Sequence, residues 1–413
     1  MSQKSKSIWP LLWVMLFDHT SLNITFPVLT FIFFDTQTHL FTPDVSSATR
    51  SMWYGLCIAI PHVVNMVMTP ILSALSDMLG RKKLLLFSIA GAFVFAIIAG
   101  SGVCLGMISL LLLGRIIQGA FSRTNPIAQA VIADISNTQD KVRNMGYLQV
   151  AISLGAFIGP LLGGYFANRY FFQTLNYSLP YWIAAGFAAI SFLLTCIYFK
   201  ETLTTFPTAQ KISQLNWPLL KKLFCSRDIL WVSLVLMFSQ VSWSLYYQFM
   251  PPLLKMLFHF DTHALGIFVG LIALWLALAS AFAIKFLQRY CSLQQMLSVS
   301  LYLILLGLLV TIAAILLANK ANACIWFAAI PTAVGDVIAY SCLVTLYSDR
   351  VPQAHQGKVM GICFVIVGLI WSSTAILGGM LLSLNPLWPV LISPIGMMIC
   401  IVLMHQKSLF IKD

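Results

Sequence analysis

Twelve runs of about 18 to 25 predominantly apolar residues, each long enough to cross roughly 30 Å of hydrocarbon, leave this chain little choice of fold. They lie near residues 8–34, 53–76, 83–105, 107–133, 144–168, 180–199, 229–254, 264–287, 294–318, 323–347, 359–383 and 386–405. Inside a bilayer no water satisfies backbone N–H and C=O groups, so a spanning run of this length closes its hydrogen bonds internally, as an α-helix. Composition agrees: 60% of the 413 residues are hydrophobic and only 9% are charged, against about a quarter charged in soluble domains. The chain reads as an all-α polytopic membrane protein. Met1 to Ser7 carries Lys4 and Lys6, but no small-residue cleavage site follows. The first run is therefore expected to stay as a span and not to be removed as a signal peptide.

The net charge is +12, yet the basic residues punctuate apolar runs and form no patch or Arg-rich tail, which argues against nucleic-acid binding. With both termini on the cytoplasmic side, eighteen of the 24 Lys and Arg fall in inner segments and four (Arg50, Arg169, Lys255, Lys320) in outer ones. Arg115 and Arg123 lie within the fourth run. This bias fits retention of positive charge inside and orients the chain. The nine cysteines lie mostly in apolar runs without C-x-x-C spacing and read as small apolar thiols.

A polar stretch, 200–228, separates two sets of six runs and reads as a cytoplasmic linker, with a surface helix expected around Gln214 to Phe224. The flanking halves are 1–199 and 229–413. A shift of 215 residues superposes Asp134 on Asp349, Gly146 on Gly361, and Gly163-Gly164 on Gly378-Gly379. That points to a parallel six-helix repeat, which places a substrate site between the halves near the bilayer midplane.

Three motifs stand out in the first half. Leu72 to Lys83, LSALSDMLGRKK, is a short basic turn between two apolar runs. It resembles the signature loop of the major facilitator superfamily, with Asp77, Gly80, Arg81 and Lys82 matching and Ser73 and Met78 departing from the pattern. Gly114, Arg115, Gln118 and Gly119 resemble that family's R-x-x-Q-G. Gly155, Gly159, Pro160, Gly163 and Gly164 make a full G-x-x-x-G-P-x-x-G-G, which resembles the antiporter motif of the twelve-helix drug:proton exchangers, the tetracycline exporters among them. The resemblance implies two pseudo-symmetric six-helix bundles and proton-coupled export of a small organic compound by alternating access. Physically, the glycines admit close helix approach and the proline removes a backbone donor, permitting a bend; close packing alone is the plainer reading.

Charged side chains within the bilayer cost about 2.5 to 3.5 kcal/mol each on insertion scales, so each needs a reason. Asp18, His62, Arg115 and Asp336 fall in the middle third of their runs. Asp18 and Arg115 form the natural charge pair, either proton-coupling or a static salt bridge. Asp336 has no obvious basic partner at its level in the second half, and is a protonated carboxyl, a cation-binding group, or a carboxyl tied to hydroxyls such as Tyr340. His62, Asn65, Thr69, Ser73 and Ser76 recur on one helical face; the upper part reads as a cavity wall and the lower as a packing seam. His19 points elsewhere and reads as a packing residue. Asp77 and Arg81 can act as a cytoplasmic gate, with Lys285, Gln288 and Arg289 a degenerate counterpart. Gln118, Gln240, Trp243, Tyr247, Tyr340 and Trp371 are candidate cavity residues, since aromatic and amide groups suit amphipathic molecules. Tyr347 and Trp371 also fit an interfacial aromatic role.

The expected function is thus secondary active efflux from a monomer in the inner membrane, with protons, a small-molecule substrate and lipid as partners and no cofactor or metal. The alternative is a proton-coupled importer of a metabolite or metal chelate. A membrane-embedded enzyme is disfavoured because no close-spaced His/Cys/Asp cluster occurs, and an ATP-driven pump because no G-x-x-x-x-G-K-[ST] occurs.

Overall fold

The computed structural model describes residues 8–35, 38–121, 124–136, 138–167, 177–202, 227–317, 322–350 and 356–406. The helix expected around Gln214 to Phe224, together with Arg123, lies outside them. In chain order the helices are α1 (Trp9–Ile24), α2 (Phe26–Phe34), α3 (Ser47–Leu79), α4 (Arg81–Leu105), α5 (Ile108–Phe121), α6 (Thr124–Ile135), α7 (Thr138–Phe166) and α8 (Leu179–Tyr198). There follow α9 (Arg227–Phe258), α10 (Thr262–Leu278), a π turn (Ala279–Ala283), α11 (Ile284–Leu287), α12 (Leu293–Leu316), α13 (Asn322–Asp349), α14 (Gln356–Leu384) and α15 (Trp388–Gln406). Among the described residues there is no strand.

Ten of the expected spans are continuous helices long and apolar enough to cross a membrane. One of the other two is broken. The first run divides at Thr25 into helices of 16 and 9 residues. Pro27 is the physical cause: it lacks the N–H that would bond the Asn23 carbonyl, and its ring crowds that carbonyl. The fourth run is described as α5 and α6, of 14 and 12 residues, with residues 122 and 123 between them outside the described residues. Pro160, by contrast, sits inside a helix that continues through it.

Two glycines set the tight turns between spans. Gly80, at φ 101°, is the single residue between α3 and α4. A Cβ there would lie 2.4 Å from the Glu201 carboxylate as well as straining the backbone. Gly106, at φ 68°, ends α4 in the left-handed conformation, and the Met107 N–H returns to the Gly102 carbonyl at 2.8 Å.

By contacts the chain forms two compact units. One comprises Met1–Ser46, Ile60–Ile212 and Phe260–Leu274, the other Ser47–Ala59, Ser213–His259 and Trp275–Asp413. The early part of α3 thus counts with the second unit and most of α10 with the first. Glycine pairs explain both assignments. A Cβ on Gly55 would stand 2.9 Å from the Gly379 Cα, and one on Gly164 2.8 Å from the Gly266 Cα. The first unit's core gathers Leu11 and Met15 of α1, Leu85 and Ile89 of α4, and Val131 and Ile132 of α6, all buried. In lipid such packing is driven by van der Waals contact more than by exclusion of water.

The antiporter-like glycines are the closest-fitting part of that unit. Cβ atoms on Gly155, Gly159 and Gly163 would stand 2.6, 2.8 and 1.9 Å from the carbonyl oxygens of Leu16, Thr20 and Ile24. One face of α7 therefore lies directly on the α1 backbone. Gly146, on the same helix, has open space around it. Gly163→Ala is expected to lower the thermal midpoint of the purified protein by the equivalent of about 1 to 3 kcal/mol of overpacking. Gly146→Ala should leave it unchanged or raise it by about 0.5 to 1 kcal/mol through helix propensity.

Candidate functional site

In the first unit α1 carries Asp18, which is fully buried. Its Oδ2 accepts a hydrogen bond of 2.5 Å from the Thr124 hydroxyl at the start of α6, while Oδ1 has no hydrogen-bond partner among the described residues. The charge pair expected with Arg115 is not formed. Arg115, also buried, instead donates from Nη1 to Gln118 Oε1 at 2.6 Å, one turn along its own helix. The R-x-x-Q-G run acquires a local reason: Gln118 receives the guanidinium, and Gly119 leaves room for α3, where a Cβ would stand 2.6 Å from the Pro61 carbonyl. His62 and Asn65 are half-buried on α3, and the Thr69 hydroxyl donates to the Asn65 carbonyl at 2.5 Å. Ser76, lower on that face, is buried, and the Ser73 side chain lies outside the described residues. The His19 Cβ faces α7, 2.8 Å from a Cβ on Gly155, which agrees with a packing role.

At the end of α3 the motif loop is tied to segments far away in sequence. Arg81 Nε forms an ion pair with Asp134 Oδ2 at 3.1 Å, and its Nη1 donates to the Ser76 hydroxyl at 2.9 Å. The Asp77 side chain lies outside the described residues. Glu201 accepts from the backbone N–H groups of Arg81 (2.9 Å) and Lys82 (3.1 Å), so its carboxylate caps the N-terminus of α4. Charge and helix dipole both favour this. The Thr202 hydroxyl completes the cluster, donating to Asp134 at 3.2 Å. A second ion pair, Arg143–Asp140, is exposed on α7.

The second unit collects most of the cavity candidates. The Gln240 side chain of α9 donates from Nε2 to Asp336 Oδ1 of α13 at 3.2 Å. Its Oε1 accepts from the indole N–H of Trp371 on α14 at 3.0 Å. Asp336 is thus held by an amide and not by the neighbouring tyrosine hydroxyl. Trp243 stacks on Tyr247 with centroids 5.5 Å apart, and Tyr247 meets Trp371 at 6.0 Å. Gln248 Nε2 donates to the Trp371 carbonyl at 3.2 Å, fixing the α9 and α14 sides of the cluster. Tyr340, one turn beyond Asp336, is exposed. Tyr347 is buried and donates to the Ser233 hydroxyl at 2.6 Å, a packing role.

Sequence reasoning did not pick out Thr124, Asp134 or Glu201 as partners. A lone Thr gives no signal, and Asp134 was visible only as a repeat position. Glu201 lies 120 residues from Arg81, so no local pattern connects the two. Among the described residues no group of three His, Cys, Asp or Glu stands close enough to hold a metal ion.

Comparison with known proteins brings in three kinds of likeness. The family model described as "Major Facilitator Superfamily" matches residues 9–376. The tetracycline resistance protein, class H, of Pasteurella multocida is 30% identical over 198 residues, covering 48% of this chain and 45% of that protein. The quinolone resistance protein NorA of Staphylococcus aureus is 29% identical over 197 residues, covering 45% and 46%. The chain spans about half the length of the curated relatives it matches. Among solved structures, a D-xylose-proton symporter superposes with TM-score 0.74 at 14% identity, covering 96% of each chain. The human organic anion transporter MFSD10 superposes with TM-score 0.68 at 17% identity, covering 98% of this chain and all of that one. Both likenesses establish the fold.

Glu201→Gln keeps the shape of the cap and removes its charge. It is expected to cost about 0.5 to 2 kcal/mol, seen as a lower thermal midpoint in detergent that rising salt narrows; an unchanged midpoint would assign the cap no energetic role.

Proposed function

This chain belongs to the Major Facilitator Superfamily, and we propose that it is a proton-coupled exporter of a small amphipathic organic compound, working by alternating access. The observation that carries the reading is the state of its two mid-span carboxyls. Asp18 is held by a hydroxyl and Asp336 by an amide. A carboxyl with neutral partners takes up and releases a proton without breaking an ion pair, as a coupling site must. Arg115, in the same half as Asp18, donates to Gln118 and does not pair with that carboxylate.

The moving bodies in this proposal are the halves 1–199 and 229–413, joined by 200–228, with both termini cytoplasmic and the protein a monomer in the inner membrane. His62, Asn65 and Gln118 are the cargo-contact candidates of the first half. Gln240, Trp243, Tyr247, Tyr340 and Trp371 are those of the second, where stacked rings suit a flat, partly apolar cargo. Asp77, Gly80 and Arg81 form the inner gate. The ion pair with Asp134 and the Glu201 cap hold that loop in one arrangement. Gly155, Gly159 and Gly163 keep α7 on α1, while Pro160 and Gly164 of the same motif face Gly266 of α10. The names of the relatives, tetracycline and quinolone resistance proteins, support a drug-like cargo. A proton-coupled importer of a metabolite or metal chelate is the alternative that the same fold permits.

Inside-out vesicles with an acidic lumen separate the two. An exporter accumulates tetracycline, the first probe, as protons leave the lumen, whereas a symporting importer releases preloaded cargo with them. In such vesicles Asp18→Asn is expected to abolish proton-driven accumulation while leaving cargo exchange at equal pH and the thermal midpoint near wild type. Undiminished accumulation would remove Asp18 from the mechanism. Trp371→Ala, which loses both the ring and the bond to Gln240, should raise KM severalfold more than it lowers the maximal rate; a pure loss of rate would argue against a cargo contact.

A further inference from the structure

The second unit contains an apolar groove of about 590 Å³ that the transport reading does not use. It is lined by Trp275 and Leu278 of α10, Phe282 of the π turn, Phe286 of α11, and Ile330 and Val334 of α13. No lining residue carries a charge, and Phe282 and Phe286 are 69% and 62% exposed on a membrane-spanning segment. The π turn lies in the middle of its wall. Such turns interrupt regular helix packing and recur at functional sites. From Trp275 to Phe286 the wall rises about 16 Å at 1.5 Å per residue, close to the roughly 15 Å depth of one leaflet's hydrocarbon.

What marks one end of the groove is charge. Lys285 stands three residues beyond Phe282, and Arg289 three beyond Phe286, so each neighbours a groove-lining ring on the helical surface. The Arg289 N–H bonds to the Phe286 carbonyl at 3.2 Å, which carries the helical turn on to that residue. Both basic side chains are exposed. Asp261 is the acidic residue of the described segment 260–292, and it lies at the other end of α10.

We infer that this groove is a binding site for an anionic phospholipid, one acyl chain lying along Trp275, Phe282 and Phe286 and the phosphate group meeting Lys285 and Arg289. A zwitterionic lipid fits the wall equally well but adds its own cation beside those residues, so the discrimination resides in the two charges. The site is independent of which cargo the protein carries and of the direction of transport.

Protein extracted from vesicles of equal phosphatidylglycerol and phosphatidylcholine is the test, with retained lipid read by mass spectrometry of the intact protein. Wild type is expected to keep phosphatidylglycerol over phosphatidylcholine by roughly thirtyfold, the effect of two basic groups at about 1 kcal/mol each near a membrane surface. In Lys285→Gln/Arg289→Gln that preference should fall to near parity. Lys141→Gln/Arg143→Gln, a basic pair elsewhere on the chain, should leave it intact. Ala279→Phe fills the groove and keeps both charges; it should lose the retained lipid, and its elution profile and helical circular dichroism report whether it has folded. Should Ala279→Phe fail to fold, Phe282→Ser, which roughens the wall without filling it, takes its place and should weaken retention severalfold. Equal retention of the two lipids by wild type, or undiminished preference in the double Gln variant, overturns the proposal.

Discussion

Everything in this structure follows from the bilayer's refusal to hydrogen-bond a peptide group. Each crossing segment must satisfy its own backbone, so the described spans are helices, and helices are alike in their backbones. Their mutual placement therefore falls to side chains, and above all to places where a side chain is missing. The α7 row of Gly155, Gly159 and Gly163 sets three α1 carbonyls within what would be clash distance of a methyl group. Nothing larger than hydrogen fits there, and this fixes both the distance between the two helices and their register. Gly55 against Gly379 and Gly164 against Gly266 repeat the device within each unit.

On this frame acidic groups occur in two environments. At the end of α3, Arg81 and Asp134 form an ion pair with side chains 11% and 23% exposed, and Glu201 adds its charge to a helix N-terminus. Water remains near enough there that full charges are tolerable. Within the spans, Asp18 and Asp336 have a hydroxyl and an amide for company. A charge without a counter-charge is costly at that depth, which makes a change of protonation the natural response when the surroundings change. Ion-paired carboxylates and carboxyls with neutral partners are thus divided by depth, and the same residue type occurs in both settings.

Much of the fold was legible because it rests on run length and composition, properties of consecutive residues. The all-helical, membrane-spanning class and the close-packing glycine motif belong to this kind. The breaks were less legible: Pro27 splits the first run at Thr25, whereas Pro160 leaves its helix continuous. Both prolines lie in apolar runs, and nothing in the runs themselves tells them apart. Among candidate site residues, Gln240, Trp243, Tyr247, Asp336 and Trp371 were recognisable as unusually polar or aromatic for a span, and they do form one network. The partner of Asp18 was misjudged. Opposite charge suggested Arg115, but Asp18 takes the Thr124 hydroxyl and that guanidinium donates to Gln118, three residues along its own helix.

By itself the sequence determined that this chain crosses a membrane many times as helices, which end of each span bears the positive charge, and which titratable groups must lie at depth. Those are consequences of solvent, and solvent acts on each segment separately. Only the tertiary structure decided that Thr124 serves Asp18, that Asp134 and Glu201 serve the loop around Arg81, and that α10 opens into a groove at its π turn. Such choices depend on which of several suitable groups arrives within about 3 Å, and arrival is a property of how helices pack, not of any one of them.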